Sequence, residues 1–423
     1  MKTRIVFRSG LTVFLLLSVF FSQVIKAEET GENVAYVSYS GKTLNSVTGE
    51  PIVFASVFIV GTNIGTVSNG DGEFVLKVPP DENKGALGAS FIGYKTTNIN
   101  LNSISSGKVI IKLEPSPIPI KEVIIRSEDP VDLIKQAKKN IPENYSNAPY
   151  MVTAFYREII KQNRSYIGVA EAVLDVYKSS YTSTFDNDRV KIYKGRKSMD
   201  VKRMDTLLFK LQGGPRTSFL LDIVKNPGGV ISNDFMEFYD YNLDGVIEVE
   251  KRQTYVISFD QKDGVEYPLY TGKLYIDAEN MAISGIEFRL SEKSIDEAID
   301  EYVRKRPVNL KAEVEGANYL VNYRQINGKW YFSSIKSELV LNCKWDRKLF
   351  KSKYTATLEM AVTDMDTENI DRYKFKDATG MSDVFADQVN YFSDDNFWGN
   401  YNTIKPEESI EAAISKLNKK IIR

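Results

Sequence analysis

Residues 65–78 constrain the fold of this chain more than any other stretch. Gly65-Thr-Val-Ser-Asn-Gly-Asp-Gly72 sets two turn-forming dipeptides, Asn69-Gly70 and Asp71-Gly72, back to back between strand-like segments. After the turn, Phe74, Leu76 and Val78 alternate with Glu73, Val75 and Lys77, the two-residue period of a half-buried strand. Before it, Val53-Phe-Ala-Ser-Val-Phe-Ile-Val60 is apolar on both faces, as in a strand at the centre of a sandwich. Val109, Ile111 and Leu113 alternate against Lys108 and Lys112 in a closing strand. Short strands at this spacing with no helical period predict a β-sandwich over residues 36–114.

The rest of the 423-residue chain is too long for one ordinary domain. Hydrophobic residues make up 43% and charged residues 26%, enough apolar material for a globular core. Lys and Arg number 55 against 56 Asp and Glu, so the basic excess that phosphate binding requires is missing and no nucleic-acid partner is expected. The 24 Tyr and 22 Phe suit strands. With no histidine, Ser-His-Asp and Cys-His catalysis and histidine-bearing zinc sites are excluded. The single cysteine, Cys343, can form neither an internal disulfide nor a thiolate cluster, and reads as a small core residue.

The run Gly49-Glu-Pro-Ile-Val-Phe-Ala-Ser-Val-Phe-Ile-Val-Gly-Thr62, with Gly65-Thr66, Asn69-Gly-Asp-Gly-Glu-Phe74 and Phe91-Ile-Gly-Tyr94, resembles the carboxypeptidase-regulatory-like family. The resemblance implies a transthyretin-like seven-stranded sandwich. It also implies a place among envelope proteins of Gram-negative bacteria, where the module forms the N-terminal extension of TonB-dependent transporters. The module itself carries no catalytic residue, so no peptidase activity is implied. No barrel follows here, which excludes a complete transporter.

Residues 1–27 read as a signal peptide: Lys2, Arg4 and Arg8, then the apolar Leu11–Phe21, then Ile25-Lys-Ala27 as a cleavage site. The apolar run is shorter than the ~20 residues of a membrane span, and a retained anchor is the alternative. No cysteine near the cleavage site could take a lipid. Residues 115–128 form a linker, rigid at Pro115-Ser-Pro-Ile-Pro119, with a short strand at Lys121–Ile125 that resembles the one following this module in transporters. A helix is then expected from the Asp129 cap and Pro130, with Val131, Ile134, Ala137 and Ile141 as its stripe and Pro142 as its stop.

Residues 129–423 read as a second, larger antiparallel β domain with a few helices. Hairpins are expected at 270–290 and, through Asn327-Gly328, at 319–335. Tyr354, Ala356, Leu358, Met360 and Val362 alternate with Thr355, Thr357, Glu359, Ala361 and Thr363, which predicts one buried face and one solvent face. Ser294-Ile-Asp-Glu297 has capping-box spacing ahead of a helical stripe at Ile295, Ala298, Ile299, Tyr302 and Val303. The hairpin Gly272–Asp277…Met281–Phe288 is similar to those of lipoprotein-carrier-like half-barrels, which implies a half-barrel-like sheet around an apolar cavity. In the tail, 394–409 resembles a C-terminal motif of envelope proteins that carry the module. A last helix follows from Pro406, striped by Ile410, Ile414, Leu417 and Ile421.

Motifs that carry chemistry are incomplete. Asp240–Ile247 copies the first half of a calcium loop, but Lys251 stands where the bidentate Glu belongs, so an ordinary hairpin or turn is the better reading. Ser333-Ser-Ile-Lys336 and Ser105-Ser-Gly-Lys108 have serine/lysine acylase spacing in strand or loop context, where the pair cannot share a helical turn. Gly41-Lys-Thr43 lacks the earlier glycine of a phosphate loop. The basic segment Lys191–Lys197, with Lys202 and Arg203, reads as a solvated strand edge, with anionic lipid head groups or polysaccharide as the sharper alternative. Acid pairs such as Glu248/Glu250 or Asp296/Glu297 could serve a glycosidase only across a cleft. Trp398 and Tyr401 read as packing residues before they read as sugar platforms.

The expectation is a non-catalytic cell-envelope protein, periplasmic or outer-membrane-associated, with no catalytic, cofactor-binding or metal residues and no cofactor. Its sandwich would act as a docking or spacer module and its larger domain would bind a ligand or partner. Envelope proteins, outer-membrane components, lipid or glycan are the expected partners. A carrier of a lipophilic ligand, with its cavity under the C-terminal helix, is the alternative, alongside glycan binding or a His-independent hydrolase.

Overall fold

Among the described residues, seven short strands make the N-terminal module: β1 (Val37–Asn45), β2 (Ser56–Ile59), β3 (Gly65–Val67), β4 (Glu73–Val78), β5 (Ala86–Ser90), β6 (Thr97–Asn100) and β7 (Lys108–Leu113). They form a three-stranded sheet, β4-β1-β7, facing a four-stranded one, β3-β2-β5-β6. Val57, Ile59, Phe74, Leu76, Val78, Leu87, Ile111 and Leu113 meet between the sheets as one buried cluster. The alternation in β4 therefore does what its period requires. The double turn does not close a hairpin, because β3 and β4 belong to different sheets. It is a corner, in which the Asn69 carboxamide oxygen accepts from the amides of Asp71 and Glu73 and Gly72 takes a φ of 72°.

The computed structural model describes residues 36–104, 108–116, 129–183, 185–200, 214–249, 251–295, 298–299, 308–346, 349–391 and 397–421. The expected leader, the strand Lys121–Ile125, most of the helix expected over 294–303 and the Ser105 end of one acylase-like motif lie outside the described residues. Described residues from Tyr36 onward belong to one compact unit.

The second sheet has eleven strands: β8 (Tyr150–Gln162), β9 (Ser165–Lys178), β10 (Arg189–Met199), β11 (Tyr239–Val249), β12 (Arg252–Gln261), β13 (Tyr270–Asp277), β14 (Ile283–Leu290), β15 (Leu310–Ile326), β16 (Lys329–Trp345), β17 (Ser352–Asp366) and β18 (Asn390–Tyr391). Their order is β11-β12-β13-β14-β15-β16-β17-β8-β9-β10-β18, antiparallel throughout except for the short β10–β18 pairing. Both expected hairpins form, the second through Asn327 and Gly328, whose φ of 50° and 80° are those of a type I′ turn. The mainly β expectation of a small sandwich plus a large antiparallel sheet thus holds.

Two helices ahead of β8 lie on one face of this sheet. The first, Pro130–Lys139, begins as read, with the Asp129 carboxylate accepting from the Val131 amide. It ends before Pro142, which instead sits in the first turn of a second short helix, Ile141–Asn144. Leu133, Ile134 and Ala137 pack with Tyr156, Leu174, Ile257, Leu274, Ile286 and Met360 in the main core. Buried within that layer, Lys178 bonds Asp188 (2.5 Å) and Asp222 (3.1 Å), and Asp222 also accepts from the Tyr181 and Tyr323 hydroxyls.

The opposite face was expected to meet solvent, and it does not. In β17 Thr357, Glu359, Ala361 and Thr363 are as buried as Ala356 and Met360. The physical reason is that the sandwich and the chain's tail lie across them. Phe54 and Val67 of the sandwich pack with Phe155, Val173 and Ala361 of the sheet and Ile404 of the tail. This also explains why Val53–Val60 is apolar on both sides: one side feeds the sandwich core and the other docks on the sheet.

Candidate functional site

Alternation places one side chain per strand in each row across a sheet. On the sandwich-facing side, one such row runs Lys336 (β16), Glu359 (β17), Arg157 (β8), Glu171 (β9), Arg196 (β10), each directly opposite the next in register. The charges alternate in sign along the row. Lys336 Nζ lies 3.2 Å from Glu359, Arg157 3.4 Å from Glu359 and 2.7 Å from Glu171, and Arg196 3.1 Å from Glu171. Burial of Arg157 works against its charge, but Glu171 and Glu359 outweigh it and hold the guanidinium above its ordinary value.

The tail seals this ladder. Arg157 Nη2 donates to the Ile404 carbonyl (2.5 Å), while Trp398 stands edge-on to Phe155 and over the Arg196 guanidinium (4.8 Å). The same tail holds the sandwich from its other side. Asn402 exchanges two hydrogen bonds with the Lys77 backbone (2.7 and 2.9 Å), Thr66 donates to the Thr403 carbonyl (3.1 Å), and Lys405 pairs with Glu73. Arg324 of β15 adds a bond to the Asn63 carbonyl and a cation–π contact with Phe58. Trp398 and Tyr401 therefore serve in packing, as the sequence favours.

At its Lys336 end the ladder opens on a cleft of about 700 Å³ between the sandwich loop after β5 and strands β12–β16. Phe91 and Ile92 form the sandwich wall. Ile92 also packs with Val256 and Tyr275, and seats where β14 has glycine: a Cβ at Gly285 would come within 2.4 Å of its Cδ1. The sheet contributes Leu320 and six charged residues, Lys273, Arg289 and Lys336 with Asp260, Glu287 and Glu338. Most are already engaged: Arg289 with Glu292, Asp260 with Lys293, and Glu287 with the Tyr275 hydroxyl.

The remaining motifs take structural places. Asp240–Ile247 runs as strand β11 with a bulge after Leu243, and Asp244 accepts from the Ser258 hydroxyl. Among the described residues no group of three or more His, Cys, Asp or Glu stands close enough to hold a metal. Ser333 and Lys336 lie in extended β16, and Lys42 lies in β1, paired with Glu73. Cys343 is buried beside Leu310 and Leu341, and burial pushes its thiol up to about 11. Lys191 and Lys194 line a second cleft of about 690 Å³ with Lys376 and Tyr391, their ammonium groups over Tyr373 and Phe397. Lys202 and Arg203 lie outside the described residues. The C-terminal helix, Glu408–Ile421, packs Ile410 and Ile414 directly on Ile159 and Val169, so the 700 Å³ cleft lies elsewhere than under it. No helix among the described residues is long and apolar enough to cross a membrane.

A search of curated proteins finds no match. Among solved structures, the chain is similar to a LolA superfamily protein from Nitrosomonas europaea, at 14% identity over 57% of this chain and 94% of that one, with a TM-score of 0.20. A DUF1329 family protein from Desulfovibrio piger matches at 11% identity over 59% and 98%, with a TM-score of 0.26. Lipovitellin matches at 10% over 60% of this chain and 28% of its own, with a TM-score of 0.23. Residues 39–125 match the family profile of the CarboxypepD_reg-like domain.

Proposed function

We propose that this chain is a non-catalytic binding protein of the cell envelope whose ligand or partner sits in the cleft between sandwich and sheet. The observation that supports it is the construction of that cleft: one wall comes from the sandwich, the other from the sheet, and the ladder fixes Lys336 at its rim. A site made by two modules clamped together gains pre-organisation from the clamp. Three cations face three carboxylates there, with Phe91, Ile92 and Leu320 beside them. That balance favours a neutral or zwitterionic amphipathic ligand over a strongly charged one. Carriage of a lipophilic ligand is the second reading, favoured by the same apolar wall.

The test is native mass spectrometry of protein recovered from the envelope fraction, comparing wild type with Asn318→Trp. Asn318 is exposed on the cleft lining, so an indole there fills space without disturbing the core. A bound species present in wild type and lost in the variant is the expected result. A species retained equally by both would overturn the assignment of the cleft. A hydrolytic activity abolished by Glu338→Gln would overturn the non-catalytic reading.

A further inference from the structure

Strand β15 does not stop where its neighbour stops. Its last pair with β14 is Arg289 opposite Asn318, yet it continues to Leu310 with only β16 alongside on the other edge. Those further eight residues, 310–317, carry an arm about 27 Å beyond β14 at ~3.4 Å per residue. Leu310, Ala312, Val314, Leu341 and Cys343 bury one side of it. At its tip, Val308, Leu349 and Phe350 are 105%, 89% and 81% exposed.

Val308, just ahead of β15, and Leu349 and Phe350, just ahead of β17, add nothing to the buried clusters of the described residues and oppose solubility, which points to a gain from outside the chain. The charges beside them point the same way. Lys311 and Lys344 stand directly opposite each other on β15 and β16, both exposed, a like-charge pairing that costs stability. Lys351 and Lys353 are paired with Glu313 and Glu315, leaving Asp346 as the acid beside the two facing lysines. Three exposed apolar side chains are far fewer than the roughly 20–30 residues per partner of a stable protein interface. They match a surface that takes a few apolar side chains to shallow depth and attracts cations around them.

We infer that the β15–β16–β17 arm docks this protein on an anionic lipid bilayer, with Leu349 and Phe350 entering the head-group boundary and Lys311 and Lys344 facing acidic head groups. The inference goes beyond ligand binding in the cleft and does not depend on it. Its test is vesicle flotation of the exported chain with phosphatidylcholine, with and without phosphatidylglycerol. Replacing both Leu349→Ser and Phe350→Ser lowers the bound fraction about tenfold. Lys311→Gln and Lys344→Gln lower binding to the anionic vesicles alone, about fivefold each. All four side chains are exposed, so melting temperatures hold. Phe350→Trp gives a local reading, since brominated acyl chains quench the introduced indole only if the tip enters the bilayer. Flotation unchanged by the Ser variants, absent for wild type, or present with an unquenched indole overturns the inference. So does a Ser variant that changes only self-association in sedimentation, which would assign the tip to a second copy.

Discussion

The two faces of the eleven-stranded sheet bury comparable rows of side chains under different covers, and they hold their charges differently. On the helix-covered face, Lys178, Asp188 and Asp222 form a local knot within the main core. On the sandwich-covered face, five charges in register cross five strands. A knot is closed by one cation and its adjacent carboxylates and needs no register across the sheet. A ladder works only while every strand keeps its register and while the tail keeps water out. Buried ion pairs are weak sources of net stability but strong penalties when one member is lost, so the ladder acts as a register lock for the surface that receives the sandwich.

The largest expected effect breaks that lock. Arg157→Met leaves Glu171 and Glu359 buried with their central cation gone, and should cost about 3–5 kcal/mol in urea unfolding. A cost below that of an exposed pair would show that the row is not coupled. The helix-covered face has its own weak point at Glu158, where burial raises the carboxyl to about 7 although the Tyr156 hydroxyl donates to it (2.7 Å). The folded state then keeps a proton that the unfolded chain releases. This residue's contribution is therefore most favourable below about 4.5 and declines as pH rises to about 7, by something of order 3 kcal/mol. Glu158→Gln should remove that decline and be relatively more stable at pH 8 than at pH 4; parallel pH–stability curves for variant and wild type would count against it.

How much of this was legible follows from the same contrast. Helix-facing residues such as Ala356 and Met360 carry the apolar period that marks burial, and the sequence places them inside. Glu359, Thr357 and Arg157 carry the polar period that normally marks solvent, and no local rule distinguishes water from a second module. One signal was present: Arg157, Glu171, Arg196, Lys336 and Glu359 fall at mid-strand positions with alternating sign, a pattern visible only once strand order and register are known. The cleft was equally hidden, since Phe91-Ile92 reads as part of the module's own signature. The sandwich strands, the main hairpins, the Asp129 cap and the core place of Cys343 rest on local period and turn chemistry, and were legible for that reason.

Two smaller perturbations sharpen the comparison. Trp398→Ala should cost about 2 kcal/mol, less than a full core deletion because the ring is only half-buried. Its signature is loosening confined to the sandwich side, read as faster hydrogen exchange in β3 and β17 but not in the helix Pro130–Lys139. Uniform acceleration would mean that the two faces melt together. Lys353→Ala removes an exposed pair with Glu315 and should move stability by less than about 0.5 kcal/mol in ordinary salt. A larger loss would mean that the arm's surface charges carry the fold.

The interleaved tail bears on the order of events during synthesis. Thr66, Asn69 and Lys77 bond to residues some 325–337 positions later in the chain. Contacts this distant in sequence are late and slow to form. The sandwich can close on its own core as soon as β7 has emerged, but its seat on the sheet is finished only once residues 402–406 have been made. Until then the charge row lies open to water and the two modules are free to misassemble. A nascent chain stalled before Trp398 should thus hold a folded sandwich and an unlocked sheet, separable by pulse proteolysis.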